Sequence, residues 1–191
     1  MAVVHAYKQT DDKRTKDGDL IEVTSGWCIG MVVHWILAKK EGADFWKKAA
    51  GADGEQAFRM IMAMQQIWYK QGGWNQKKEY DIFDKLLGGK KVKRVHYNDT
   101  TPKKVISPED VWMGITNTAG RFGLINIGFA QGGHAMGVCK NSDESFNFFD
   151  PNCGEFKWKD VAEFRKGLKA EIFDKMNYKN AVNRLIIAKY D

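Results

Sequence analysis

Apolar positions along this chain change their spacing from one region to the next, and the changes mark out the elements. The first 23 residues are polar and charged with little periodicity and predict an irregular arm. From Cys28 to about Lys40, the residues Ile29, Met31, Val32, Val33, Trp35, Ile36 and Leu37 surround a helix nearly all round. A helix apolar on every side is a buried helix, so this one is expected to run through the middle of the domain. A second helix is predicted over about residues 54–70, where Phe58, Ile61, Met62, Met64 and Trp68 give a methionine-containing stripe that reads as core filler. Gly72-Gly73 and Gly88-Gly89 bracket a segment of ambiguous period, followed by an alternating stretch at 92–97 that predicts a strand. Ser107-Pro108-Glu109-Asp110 is a helix start, with a capping hydroxyl, a proline in the first turn and two acids at the positive end of the dipole. That helix should be short, ending near Gly120.

The second half reads differently. Short apolar runs at 124–129, 134–139 and 145–149 are separated by Gly, Asn, Asp and Ser, and predict consecutive antiparallel strands. Val161, Phe164, Leu168 and Ile172 place a late helix at about 158–175, and residues 181–187 predict a final strand. Helices first and a sheet after predict an α+β fold. A chain of 191 residues with 43% hydrophobic and 13% aromatic positions can bury one substantial core, so a single domain over 1–191 is expected.

The formal charge of +6 permits attraction to anionic partners. The basic residues are scattered, however, and the densest run, Lys90-Lys91-Val92-Lys93-Arg94, is interrupted by an apolar position, as on a solvated strand face. Nucleic-acid-binding signatures are lacking, so no nucleic-acid partner is expected. No apolar run reaches membrane-spanning length, and the first residues lack the apolar core of a secretory signal. Three cysteines (28, 139 and 153) without a CxxC pair predict neither a disulfide framework nor a zinc site. The expected setting is a reducing compartment. No HExxH, Walker A, GxGxxG or EF-hand pattern occurs, so neither a metal nor another cofactor is expected.

Cys28 is the most informative residue. It follows Thr24-Ser25-Gly26-Trp27 and opens the buried helix, where the positive end of the dipole favours a thiolate. Cysteine hydrolysis also needs an imidazole to relay the proton and a group to fix its tautomer. His134 follows Gly132-Gly133 at the start of a predicted strand, and Asp150 ends the next one. Adjacent antiparallel strands joined around Asn141-Ser142-Asp143 would bring the two together, and Pro151 biases Asp150 to an extended backbone. His34 stands six positions after Cys28, roughly 9 Å up the axis, and is expected in the core. Cys139 and Cys153 read as packing residues.

The segments GWCIGMVVHW, GGHAMGV and FFDPNCGEF, in that order, resemble the YopT-type cysteine proteases (clan CA, family C58), a group that includes bacterial effectors injected into host cells. The resemblance covers mainly residues 24–40 and 130–158. It implies a papain-like fold, with Cys28 as nucleophile, His134 as general base and acid, and Asp150 as the residue orienting the imidazole. It further implies an oxyanion hole formed partly by the Cys28 backbone N–H. Where the family often carries a polar side chain shortly before the cysteine, this chain has Val23; Gln9, Thr24 or Ser25 would have to take that part. The resulting expectation is a monomeric bacterial cysteine endopeptidase without a classical signal peptide, exported by a specialised system. Its substrate would be a protein or peptide, a host protein included. Two alternatives stand beside it: a protein deamidase, amidase or acyltransferase on the same triad, and a catalytically idle binding module.

Overall fold

The computed structural model describes residues 2–7, 28–50, 56, 60, 63, 80–100, 106–129, 132–176, 178 and 184–191. Its centre is a seven-stranded antiparallel sheet: β1 (Ala2–Ala6), β2 (Arg94–Thr100), β3 (Phe122–Phe129), β4 (Gly132–Lys140), β5 (Phe146–Asp150), β6 (Gly154–Trp158) and β7 (Arg184–Tyr190). The spatial order is β1-β6-β5-β4-β3-β7-β2. Strands β3 to β6 follow one another as a meander, and β7 returns to lie between β3 and β2.

Helices cover both faces. On one side lie α1 (Cys28–Lys40), α2 (Phe45–Ala50) and α3 (Tyr80–Gly88). There Met31, Val32 and Trp35 pack with Phe83, Phe122, Leu124, Phe149, Ile186 and Tyr190. On the other side lie α4 (Pro108–Thr116) and α5 (Val161–Gly167), which packs with Ile125, Met136, Val138, Phe148, Trp158 and Ile187. A sheet buried on both faces needs apolar residues at consecutive positions, which is why β3 is buried at seven successive positions and, Asn126 apart, carries no polar side chain.

The helix α1 is as apolar as expected, with Cys28, Ile29, Met31, Val32, Val33, Trp35 and Ile36 all buried. It approaches the sheet closely because β4 has a glycine beneath it. A Cβ on Gly137 would sit 2.9 Å from Trp35 Cε3 and 3.1 Å from Val32 Cγ1. Gly137→Ala is therefore expected to lift α1 from β4 and cost about 1–3 kcal/mol, read as a lower denaturant midpoint. A midpoint equal to that of the unsubstituted chain would mean that the helix accommodates the methyl group. At the far end of α1, the buried Glu155 of β6 accepts from Trp46 Nε1 (3.0 Å) and Asn147 Nδ2 (3.1 Å) and pairs with Lys39 (2.5 Å). This network ties α1 and α2 to the sheet.

The Ser107 start has the full capping box: the Ser107 side chain accepts from the Asp110 N–H, and the Asp110 carboxylate accepts from the Ser107 N–H. Two expectations need correction. The irregular arm fails at its beginning, because Ala2–Ala6 is a strand paired with β6; residues 8–27 lie outside the described residues. The late helix is α-helical only over Val161–Gly167 and continues as a π-helical segment over Leu168–Asp174. The wider winding turns both Ile172 and Phe173 inward beneath Leu168, and all three are buried. The helix predicted at 54–70 falls outside the described residues, apart from Gln56, Met60 and Ala63, which are helical.

Candidate active site

Cys28 is the first described residue of α1 and is buried. His134 is the third residue of β4, opposite Ile127 of β3, and Asp150 closes β5. The two strands run side by side, and His134 Nε2 stands 2.7 Å from Asp150 Oδ1, with Asp150 fully buried. Local sequence fixes the carboxylate. Asp150 Oδ1 also accepts from the Asn152 backbone N–H at 2.7 Å, closing an Asx turn across Pro151, and the Cys153 N–H donates to the Asp150 carbonyl at 2.9 Å. Next comes Gly154 with φ of +103°, where a side chain would run into the β1 backbone. Asp150 Oδ2 is buried without a partner among the described residues, so Oδ1 carries the carboxylate's hydrogen bonds.

The buried Cys28 side chain lies close enough to the imidazole to act on its charge. With Nε2 committed to Asp150, the ring atom left for the thiol is Nδ1. Burial works against a charge on this ring. The Asp150 carboxylate, by charge and hydrogen bond, and then Cys28 act in the opposite sense and prevail, so the His134 pKa is raised from 6.5 to about 10. The imidazole is thus held as imidazolium through the neutral range.

The other thiols and His34 differ in kind. Burial, followed by the negative charge of Asp150, pushes the Cys153 thiol up to about 12. Burial raises Cys139 too, although Arg121 works against the shift. His34, half-buried on α1, is pushed down to about 4 by burial and the nearby Lys48 charge, and so is neutral.

Two residues of the site went unnoticed in the sequence. Asn152 supplies the Asx turn and also donates from Nδ2 to the Tyr178 hydroxyl at 3.1 Å. The Tyr178 ring lies tilted against the His134 ring, with centroids 5.7 Å apart, and also touches Phe129 and Phe173. The imidazole is held at its edge by a carboxylate and along its side by an aromatic ring. The Asp-Pro-Asn triplet was a local signal for the first of these. Tyr178 had none, because it arrives from beyond the π-helical segment. Gln9, Val23, Thr24 and Ser25, the positions considered for the oxyanion hole, lie outside the described residues.

A buried cysteine on a central helix, with a histidine and an aspartate on neighbouring strands of an antiparallel sheet, gives a papain-like α+β architecture. The chain belongs to the C58 peptidases, the family described as the Yersinia/Haemophilus virulence surface antigen, whose model matches residues 1–190. Among curated proteins it is similar to the cysteine protease YopT of Yersinia enterocolitica, with 23% identity over 175 residues, covering 82% of this chain and 53% of that protein. The chain thus spans about half the length of that relative. Among solved structures it superposes on the Pseudomonas avirulence protein AvrPphB with a TM-score of 0.63 at 16% identity, over 86% of this chain and 91% of the other. The YopT domain of the Pasteurella multocida PfhB2 toxin matches with a TM-score of 0.40 at 20% identity, over 94% and 89% of the two chains.

Proposed function

We propose that this chain is a cysteine endopeptidase that cleaves a protein substrate through Cys28, His134 and Asp150. The observation that carries the reading is the position of one imidazole, hydrogen-bonded to a buried carboxylate and near enough to a buried thiol for the two to act on each other's charge. His134, an imidazolium in the resting site, already holds at Nδ1 the proton that the Cys28 sulfur has given up, and the sulfur attacks the scissile carbonyl. The tetrahedral oxyanion collapses as His134 gives that proton to the departing amine, so the C–N bond breaks and a thioester remains. A water molecule then loses its proton to His134 while attacking the thioester. The carboxylic acid leaves, and the sulfur is released beside the imidazolium that has taken the water's proton. Asp150 stays ionised throughout and stabilises the imidazolium. The family description, a virulence surface antigen, and the likeness to a Yersinia cysteine protease support a bacterial effector, and a host protein is the substrate class we infer.

The three cysteines provide an internal control. Cys153 is more exposed than Cys28, yet burial and Asp150 hold it as a thiol. With iodoacetamide at about pH 6, peptide mass spectrometry is expected to find Cys28 alkylated before Cys153 and Cys139. If Cys153 reacts first, exposure governs the labelling and the nucleophile assignment falls.

A further inference from the structure

A hydrogen bond at one edge of an imidazole fixes the direction of that nitrogen but leaves the tilt of the ring plane to packing. The bond between His134 Nε2 and Asp150 Oδ1 is of this kind. The tilt is met by Tyr178, whose ring lies at 40° to the imidazole with 5.7 Å between centroids. Tyr178 is only 7% exposed and packs against two further rings, Phe129 of β3 at 5.7 Å and Phe173 at 6.1 Å. Phe173 is on hand because the π-helical winding turns it inward beside Ile172.

The hydroxyl is the part of Tyr178 that packing does not explain. A phenylalanine would bury the same ring, and a buried hydroxyl is costly unless it is bonded. Here it accepts from Asn152 Nδ2 at 3.1 Å. Burial, followed by the charge of Asp150, holds the phenol well above the usual tyrosine range, so it stays neutral beside the imidazolium. Asn152 has a second hold, since its backbone N–H donates to Asp150 Oδ1 at 2.7 Å. One residue thus ties the carboxylate at the edge of the imidazole to the aromatic ring along its side.

We propose that Asn152 and Tyr178 are positioning residues for His134, a role that rests on the triad proposed above. The Asn152 amide pins the Tyr178 phenol, and the pinned ring fixes the tilt at which the imidazole meets Cys28. Both residues act through the orientation of His134 and not by supplying a proton or a charge. Orientation matters here because misplacing a reacting group by one ångström can cost about 10²-fold in rate. A group is held that closely only when its own supports are locked in turn.

Tyr178→Phe and Asn152→Ala remove the same hydrogen bond from its two ends, and Asn152→Ala keeps the backbone N–H that Asp150 uses. The measurement is the rate of iodoacetamide alkylation of the full chain at about pH 6, read at Cys28 and Cys139 by peptide mass spectrometry. Each variant should slow Cys28 by about fivefold, the scale of one hydrogen bond, and the double variant should be no slower than either single one. Cys139 is buried and reacts only as the fold opens, so its rate should stay unchanged, whereas a merely structural role would speed it. Tyr178→Phe keeps the ring and decides the matter if Asn152→Ala fails to fold. Three results would overturn this role alone: Cys28 rates within about twofold of the unsubstituted chain, effects that add in the double variant, or a faster Cys139. A Cys28 no more reactive than Cys139 in the unsubstituted chain would overturn the triad itself, and this role with it.

Discussion

Replacing Cys28 with alanine is expected to abolish cleavage of a susceptible protein, with a fall of about 10⁴-fold or more in kcat/KM. The magnitude follows from the division of labour in the site. Without sulfur no thioester forms, and what remains is whatever binding and oxyanion stabilisation contribute to direct attack by water. Removing a nucleophile costs about as much as removing the whole triad, because the remaining members act only through it. The check is a cleavage time course followed by gel and intact mass, with circular dichroism showing the fold retained. Residual cleavage within tenfold of the unsubstituted chain would dismiss Cys28 as nucleophile. A product of unchanged length with a glutamine converted to glutamate would redirect the chemistry to deamidation on the same triad.

Asp150→Asn should have the second-largest effect, and its signature is in the pH profile. Three influences act on His134: burial lowers its pKa, while Asp150 and then Cys28 raise it. Taking away the carboxylate leaves burial opposed by Cys28 alone, so the pKa falls. In the unsubstituted chain, activity is expected to hold on the alkaline side until the imidazolium is lost near pH 10. In the variant that limb should move toward neutrality, and kcat/KM at neutral pH should drop by about 10²–10⁴-fold. Stability follows the same group. A folded pKa raised above the unfolded value of 6.5 gives stabilisation fully present below pH 6.5 and lost as the pH climbs through about 10. The variant should lose that pH-dependent increment across the same window, measured as denaturant midpoints against pH. Coincident alkaline limbs would show that Asp150 does not set the charge of His134.

The parts of this molecule that could be read from sequence are those where local chemistry and tertiary environment agree. The α1 helix is apolar all round because it is buried all round. The capping box at Ser107 is complete within four residues. His134 and Asp150 lie at strand positions that a simple meander brings together, so their pairing needed only the correct strand count. Other elements gave no such agreement. All five residues of β1 are exposed, so its strand character comes from pairing with β6 and not from an alternating buried face. β6 itself escaped notice because Glu155, a charge that reads as a solvent position, is buried in a network with Lys39, Trp46 and Asn147. Tyr178 was invisible for a third reason: it approaches His134 only after the chain has wound through α5 and the π-helical segment.

The position of β7 bears on when this molecule can act. The last strand sits inside the sheet, between β3 and β2, and β3 in turn supports the strand that carries His134. A chain emerging from a ribosome can form the helix of Cys28 early, but β2 stays apart from β3 until β7 has been made and inserted between them. Contacts between the two ends of a sequence close slowly, since a large loop must be ordered before they form. During synthesis the thiol is present long before the frame that would aim an imidazole at it. The order of the strands, and not any added segment, sets how late the site can be completed.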